Sequence, residues 1–257
     1  MKISVSCPSY KRPLVETLDY LPFCKVWVDE GEFDSYVKAN KKGSDIISCA
    51  KGIQGNMCRI RNHIIKTEFE RGIEAVCIID DDMKGVYYWE NKISHMVKGS
   101  EFLSFIEKYS DLANQFDVKL WGLNINQDKQ VYREYTPFSM SSFIGAPFMV
   151  FMKGNDLMFD ERLSLKEDYD MTLQQLNKYR KVLRINKYFY NVKQSEQVGG
   201  CSAYRNFDEE KRQLELLQKK WGSQIVKIDK ANRSHNLKKG KSKIDYNPII
   251  RVPIGGV

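Results

Sequence analysis

The stretch VCIIDDD at residues 76–82 decides the fold, because an uninterrupted apolar run stops at three consecutive aspartates. Such a run is typical of a strand that is buried on both faces of a parallel sheet. Ligands of open α/β sheets bind beyond the carboxyl ends of the strands, where this triplet begins. Three adjacent carboxylates repel one another unless a cation offsets their charge. The stretch therefore predicts a cation site at the mouth of a buried strand, with an acidic turn as the alternative.

The segments around this strand alternate between strand-like and helix-like patterns. Further strands are predicted at residues 3–7, 25–28, 46–49, 118–125, 143–153 and 182–185. Helices are predicted to begin at Met57 and to cover residues 102–116, 165–179 and 207–221. Alternation at this spacing over about the first 90 residues indicates a doubly wound α/β half.

Composition favours a soluble intracellular protein over the other broad classes. Hydrophobic residues make up 42% of the 257-residue chain, which excludes a disordered protein. No window approaches the roughly 18–20 apolar residues of a membrane span, so no membrane partner is expected. The opening MKISVSCPSYKRP lacks the apolar core of a signal peptide. Six scattered cysteines without a CxxC pair favour reduced, buried thiols in a cytoplasm.

The charge balance suits a polyanionic partner. Forty-one Lys and Arg residues against thirty-three Asp and Glu residues give a net charge of +8. Basic residues concentrate between residues 227 and 243, and this segment is either a solvated tail or a phosphate-contacting segment. The lysines proposed to contact a nucleic-acid backbone are Lys238, Lys239, Lys241 and Lys243.

A glycine-containing loop, KGIQGN at residues 51–56, leads into the helix that begins at Met57. Asn56 is well suited to cap this helix, whose free N–H groups would suit a phosphate. Arg61 borders the apolar face of the helix and therefore needs an anionic or carbonyl partner. Two interpretations stay open. Arg61 and Asn62 hold a nucleotide or its diphosphate, or Arg61 pairs with one of the aspartates.

The segment SLKEDYD at residues 164–170 opens another helix. Ser164 and Glu167 match a capping box, in which each would satisfy the other's backbone N–H. Asp168 then lies in the first turn, where the helix N-terminus keeps a carboxylate ionised. An ionised carboxylate at a cleft can act as a general base, and the alternative is ordinary first-turn acidic decoration.

Other polar segments carry weaker signals. The loop QSEQVGGC at residues 194–201 either closes over a substrate or is an ordinary connection. His63, His95 and His235 lack metal-ligand spacing, although His235 remains a candidate for a distant third metal ligand. No glycine motif of a dinucleotide-binding enzyme or a P-loop phosphotransferase is present.

Four motifs together resemble a known family. VSCPSYKRP (residues 5–13), GNMCRIRN (55–62), CIIDDDMKGV (77–86) and LKEDYDM (165–171) are similar to the GT-A glycosyltransferase fold, in the order that fold uses. The nearest likeness is to the TET-associated glycosyltransferases, which are encoded largely by bacteriophages. The likeness covers residues 1–205, as a nucleotide-sugar-binding half (1–115) and an acceptor half (116–205). It implies a single α/β domain with a Rossmann-type mixed sheet flanked by helices, followed by a C-terminal helix and basic tail (206–257).

This resemblance implies a metal-dependent enzyme of phage DNA hypermodification, placed in the host cytoplasm. It would move a hexose or pentose from a UDP-sugar to a 5-hydroxymethylpyrimidine in DNA, with 5-hydroxymethylcytosine as the expected base. Asp80 and Asp82, at i and i+2 of an extended segment, would point the same way and hold Mn²⁺ or Mg²⁺. Water and phosphate would complete the metal shell, because the late histidine ligand of many GT-A enzymes has no obvious counterpart here.

The resemblance also implies roles for the remaining site residues. Asp168 becomes the catalytic base. The donor-side residues are Pro8, Ser9, Tyr10, Arg12, Arg61, Asn62, Asp80 and Asp81. The acceptor and loop residues are Glu167, Gln197, Gly199 and Gly200.

Three alternatives remain at this stage. The enzyme would act on a cell-surface glycan or protein in the first. The second is a metal-dependent nuclease, since carboxylate clusters also bind paired metal ions. The third is a catalytically silent DNA-binding module. No obligate protein partner is indicated.

Overall fold

A ten-stranded mixed sheet forms the centre of the chain. The computed structural model describes residues 1–128, 132–192, 200, 204–228 and 246–252. The strands of the sheet are β1 (Ile3–Pro8), β2 (Lys25–Asp29), β3 (Ile46–Cys49), β4 (Ala75–Ile79), β5 (Met83–Glu90), β6 (Ile93–Met96), β7 (Leu120–Asn124), β8 (Phe138–Ser139), β9 (Phe148–Met152) and β10 (Leu183–Val192). Their order is β3-β2-β1-β4-β9-β7-β10-β5-β6, and β8 pairs with β10.

The strand directions bring several strand ends to one edge of the sheet. β1 to β4 form a parallel half, as the sequence predicts. β9 then runs antiparallel between β4 and β7, and β10 is parallel to β7. The carboxyl ends of β1, β4, β7 and β10 therefore meet the start of β9 and of β5 at the same edge.

Six α-helices flank the sheet within the described residues: α1 (Thr17–Tyr20), α2 (Phe33–Ala39), α3 (Met57–Glu70), α4 (Phe102–Gln115), α5 (Glu167–Tyr179) and α6 (Phe207–Trp221). Short 3-10 turns cover Glu30–Glu32, Gly99–Glu101 and Glu161–Leu163. A separate hairpin pairs β11 (Val226–Ile228) with β12 (Pro248–Ile250). No helix among these is long and apolar enough to cross a membrane.

The packing of β4 explains why the strand is apolar at every position. Cys77 and Ile79 pack into the cluster that contains residues of α1 and α4, whereas Val76 and Ile78 pack into the cluster of α3 and α5. Successive side chains of a strand point to opposite faces, so a strand with a core on each side has no position for a polar residue. The predicted burial on both faces is confirmed.

A third apolar cluster joins α6 and the C-terminal hairpin to α5. It consists of Leu163, Leu173, Leu214, Leu217, Val226 and Tyr246. Trp221 Nε1 also donates to Asp170 at 2.7 Å, and the Leu165 N–H donates to Gln213 Oε1 at 2.6 Å. The division of the chain near residue 205 stays a prediction, and the described residues beyond it pack directly on the helix that carries Asp168.

The structure differs from the sequence-based expectation in three places. β9 begins only at Phe148, and the residues before it form a turn at the edge of the sheet. β10 extends seven residues past the predicted end, to Val192. The β5–β6 hairpin was not predicted, although its turn residues Asn91 and Lys92 have the positive φ values (49° and 63°) that two-residue hairpins require.

The cysteines are as expected in the part of the chain that is described. Cys7, Cys24, Cys49, Cys58 and Cys77 are buried free thiols. Cys201 lies outside the described residues.

Gly122→Ala is expected to lower the free energy of unfolding by about 1–3 kcal/mol, because overpacking a core costs that much. A Cβ atom at this position of β7 would lie 2.5 Å from Ile144 Cγ2 and 2.9 Å from the Phe148 carbonyl oxygen. Urea unfolding followed by circular dichroism measures the change. Gly31→Ala is the control, since its Cβ would meet only the Asp29 side chain, at 3.2 Å. Equal stabilities of the two variants would contradict the prediction.

Candidate functional site

A cavity of about 400 Å³ opens at the sheet edge where the strand ends meet. Most of the residues singled out from the sequence line it: Pro8, Tyr10, Arg12, Arg61, Asp80, Asp81, Asp82, Glu167, Asp168 and Gly200. They come from the ends of β1 and β4, from α3, from the first turn of α5 and from the segment after β10. The fold thus brings together side chains that are up to about 190 residues apart in sequence.

The three aspartates occupy different environments. Asp80 Oδ1 accepts from Arg61 Nη2 at 3.1 Å. Asp81 accepts from Arg12 Nη1 and from Ser9 Oγ, both at 2.5 Å. Asp82 lies 3.8 Å from Arg12 Nη1. The expectation of an extended segment is wrong, because the chain turns at Asp81 and Asp82.

Thr17 holds the backbone of this turn. Its Oγ1 donates to the Asp80 carbonyl at 2.7 Å and accepts from the Met83 N–H at 2.9 Å. Its own N–H donates to the Asp81 carbonyl at 3.1 Å. Thr17 is fully buried in the helix α1. The turn therefore has a fixed backbone, which the sequence alone did not indicate.

Burial makes two of these carboxylates hard to ionise. It raises the pKa of Asp81 to about 6, against the lowering effect of Arg12 and Ser9. It raises the pKa of Asp82 to about 7, and the charges of Asp80 and Asp81 add to that shift. The turn thus holds more negative charge than the nearby arginine offsets.

Arg61 connects the triplet to α5. Its side chain is 2% exposed, and its Nη1 donates to Glu167 Oε1 at 2.7 Å while Nη2 reaches Asp80. Of the two interpretations of Arg61, pairing with an aspartate is confirmed, and the side chain lines the cavity as well. Burial raises the pKa of Glu167 to about 7, although Arg61 opposes this shift.

The predicted capping box is wrong. The N-cap of α5 is Lys166, which makes no side-chain capping bond. Ser164 Oγ instead accepts from Gln213 Nε2 at 3.3 Å. Glu167 pairs with Arg61 instead, because leaving a buried guanidinium without a charged partner costs more free energy than leaving a helix N-terminus without a side-chain cap.

Asp168 is held by two backbone N–H groups. Oδ2 accepts from Ala146 at 3.2 Å, and Oδ1 accepts from its neighbour Tyr169 at 2.8 Å. Burial raises the pKa of Asp168, and these two hydrogen bonds lower it. Burial is the largest influence on this pKa, and it opposes the ionised form that the helix N-terminus is expected to favour.

The N-terminus of α3 is capped by a side chain. Asn56 caps the helix as predicted, and its Oδ1 accepts from the N–H groups of Cys58 and Arg59 at 2.9 and 3.2 Å. These two donors are therefore occupied, and a phosphate site at this helix stays a prediction. Asn62 is not among the residues lining the cavity, since its amide bonds with the Phe159 backbone through both polar atoms.

Ser9 and Gly200 each contact a residue that lines the cavity. Ser9 is buried behind Asp81 rather than in the cavity lining. The Gly200 N–H donates to the Tyr10 carbonyl at 2.8 Å, so the segment after β10 returns to the end of β1. Gln197, Gly199 and the four lysines Lys238, Lys239, Lys241 and Lys243 lie outside the described residues.

Several lining residues were missed from the sequence. They are Gln54, Phe143, Tyr169, Tyr190, Arg205 and Asn247. Arg205 is the last residue that the resemblance covers, and Asn247 lies beyond it. Lys166 links them to the site, because its Nζ contacts Glu210 at 2.5 Å and Asn247 at 3.2 Å while Glu210 also pairs with Arg205. In the sequence, the only hint of this link is that Lys166 directly precedes the two carboxylates Glu167 and Asp168.

The described residues contain no group of three His, Cys, Asp or Glu side chains that converge to hold a metal ion unaided. Asp80 and Asp82 do offer carboxylate oxygens, the ligand type that Mg²⁺ and Mn²⁺ prefer. A metal ion here would take the rest of its ligands from a bound substrate and water.

Comparison with known proteins bears on the fold. No family model and no curated protein matches the chain. The S. aureus TarS 1–349 crystal structure in complex with UDP-GlcNAc is similar, with 16% identity over 85% of this chain and 65% of that chain and a TM-score of 0.50. This chain thus spans just under two thirds of that structure. Mannose-1-phosphate geranyltransferase from Thermus thermophilus gives 8% identity over 74% and 76% of the two chains, and its TM-score of 0.42 is too low to add to this. The predicted fold class is confirmed: a GT-A-like mixed sheet flanked by helices, in a single domain.

Proposed function

We propose that this chain is a metal-dependent glycosyltransferase that uses a UDP-sugar. One observation carries the proposal: the aspartate triplet after β4 and Asp168 on α5 line the same cavity, on a fold similar to a UDP-GlcNAc complex. Sugar transfer needs positive charge at the leaving diphosphate and a base at the acceptor hydroxyl. The triplet with its metal would serve the first need, and Asp168 the second.

The charge of the cavity supports a cation on the donor side. Five carboxylates line it, and the arginines bonded to them are Arg12 and Arg61. Asp80 and Asp82 would hold the metal ion, with phosphate oxygens and water as further ligands. A bound divalent ion supplies charge that stabilises the leaving diphosphate. Arg12, beside Asp81 and Asp82, and the walls at Pro8 and Tyr10 would hold the nucleotide.

Asp168 would act as the general base. It takes the proton of the acceptor hydroxyl while that oxygen bonds to the anomeric carbon and the bond to the diphosphate breaks. A single displacement of this kind inverts the anomeric configuration. The N–H groups of Ala146 and Tyr169 keep the carboxylate oriented, and its raised pKa makes the ionised form a better proton acceptor.

The proposed acceptor is a 5-hydroxymethylpyrimidine in DNA, with 5-hydroxymethylcytosine as the expected base. The motif resemblance and the net charge of +8 support it. The hydroxymethyl group supplies the hydroxyl that Asp168 would deprotonate. In a duplex the nucleotide would have to leave the base stack to reach the cavity. Lys238, Lys239, Lys241 and Lys243 remain proposed contacts to the DNA backbone.

Asp82→Asn is expected to change how stability depends on pH in metal-free protein. The folded pKa of Asp82 is about 7, above the usual value of 3.8, so the folded state binds more protons than the unfolded state between these values. Stability therefore falls as pH rises through that window. Between pH 4 and 8, the free energy of unfolding should fall by about 1–3 kcal/mol less in the variant than in the wild type. Urea unfolding in a chelator measures it.

Metal binding gives the same variant a second readout. At pH 8, Mn²⁺ together with UDP should raise the melting temperature of the wild type and not that of Asp82→Asn. Asp111→Asn is the control, because this carboxylate is exposed on α4 and is not among the residues lining the cavity. Parallel pH profiles, or equal stabilisation of wild type and Asp82→Asn by Mn²⁺, would refute the assignment of Asp82.

Asp168→Asn is expected to lower kcat about 10²–10⁴-fold, the usual contribution of a general base. The Kd for the UDP-sugar should stay within about twofold, since Asp168 acts on the acceptor side. Asp208→Asn is the matched control, an exposed carboxylate in the first turn of α6. A variant at position 168 that keeps the wild-type kcat would show that another group takes the proton.

The acceptor is tested by mass spectrometry of nucleosides after incubation with UDP-sugars and either plain or hydroxymethylated DNA. A mass gain of one hexose or pentose on hydroxymethylated DNA alone is expected, and it should weaken as salt rises. Transfer to glycans with none to DNA would favour the cell-surface alternative. Cleavage of DNA with Mg²⁺ and without any sugar nucleotide would favour a nuclease. UDP-sugar binding with no mass gain on any DNA would exclude the DNA acceptor.

A further inference from the structure

Two aromatic rings stack on each other beside the proposed base. The ring centroids of Phe143 and Tyr169 are 4.3 Å apart, and the ring planes differ by 17°. Both residues line the cavity that contains Asp168. Tyr169 follows Asp168 directly in sequence, and Phe143 lies three residues before Ala146, whose N–H binds Asp168. Neither ring has a role in the donor chemistry proposed above.

The stacked rings are held in a fixed relation to Asp168. The segment that carries Phe143 is tied to α5 by the Ile144 N–H, which donates to Thr172 Oγ1 at 3.2 Å. Asp168 accepts hydrogen bonds from both of the segments that carry the rings. A molecule that contacts the rings would therefore present its groups to the carboxylate in a defined orientation, without a further ordering cost.

The two rings differ in how they are supported by the core. Tyr169 packs against the third apolar cluster, which contains Leu163 and Leu173. Phe143 belongs to none of the three apolar clusters that the described residues form. Tyr169 is therefore anchored to the core, and Phe143 is the ring of the pair that packs on none of these clusters while lining the cavity. Gly145 keeps the adjacent wall clear, since a Cβ there would meet Tyr190 Oη at 2.5 Å and lie 3.7 Å from the Phe143 ring.

We infer that the Phe143 ring is the platform on which the planar base of the acceptor stacks while its hydroxyl meets Asp168. This inference rests on the acceptor class proposed above and adds the surface that recognises it. Aromatic side chains bind bases through their π-faces, which every base offers.

The charge of the cavity favours entry of the base of the acceptor over its phosphate groups. On the acceptor side, away from the proposed metal ion, Glu167 and Asp168 would repel a phosphate group of the acceptor. A pyrimidine base is neutral and flat, so it suits an acidic cavity with an aromatic wall. The phosphates of the strand stay outside, where the net charge of +8 favours them.

The test measures binding of a fluorescent single-stranded oligonucleotide that carries one 5-hydroxymethylcytosine, with UDP and Mn²⁺ present. The matched probe has an abasic position in place of that base. Phe143→Ala and Phe143→Leu should weaken binding of the first probe about tenfold or more, since stacking contributes that much per base. Phe143→Trp should retain it within about twofold, because it keeps a planar ring. Tyr135→Ala is the control, as this aromatic residue is 82% exposed.

Each outcome decides the role of Phe143. Wild-type binding that is equal for the two probes, or a Phe143→Leu variant that binds like the wild type, would overturn the platform. If the alanine variant does not fold, binding of the 5-hydroxymethylcytosine probe is compared between Phe143→Leu and Phe143→Trp.

The failure of this inference differs from the failure of the proposed function. A wild type that prefers the 5-hydroxymethylcytosine probe but transfers no sugar would retain the platform and refute the glycosyltransferase. A wild type that transfers sugar to DNA while Phe143→Leu keeps its acceptor KM would retain the function and refute the platform.

Discussion

The contact on which the candidate site depends is the buried double ion pair of Arg61 with Asp80 and Glu167. A guanidinium that is almost fully removed from water is tolerated only where carboxylates surround it. Here the two carboxylates come from different parts of the fold, one after β4 and one on α5. Because Arg61 itself lies on α3, the pair fixes three elements relative to one another. The same pair links the carboxylates that follow β4 to those on α5.

The site is also unbalanced in charge, and this imbalance has a structural cause. Asp81 and Asp82 share Arg12, whereas Glu167 and Asp80 share Arg61. With two guanidinium groups bonded among five carboxylates, burial raises the pKa of several of them. A protein that needed this corner only for stability would do better with apolar side chains of similar size. Under the proposed function, this retained charge would hold a cation and, through it, a phosphorylated donor.

The sequence predicted those parts of the structure that local pattern controls. The apolar run of β4 and the cap at Asn56 follow from spacing alone, and both are confirmed. Glu167 was misread because its partner, Arg61, lies 106 residues away and outweighs a local capping bond. Phe143 and Asn247 reach the cavity only through tertiary packing, which no short motif records. Local signals therefore identified the carboxylates, and long-range contacts determined what each of them does.

The pairing of β11 with β12 brings together the two ends of the basic segment. Ile228 and Pro248 are register partners, so these two residues lie side by side. The lysine-rich stretch that is proposed to contact the DNA backbone stands between them in sequence, so the chain joins it to the domain at both ends. Next to the second attachment point, Asn247 lines the cavity and contacts Lys166. Any polyanion captured by that stretch would be kept at a high effective concentration near the cavity mouth, so capture and chemistry become one intramolecular event.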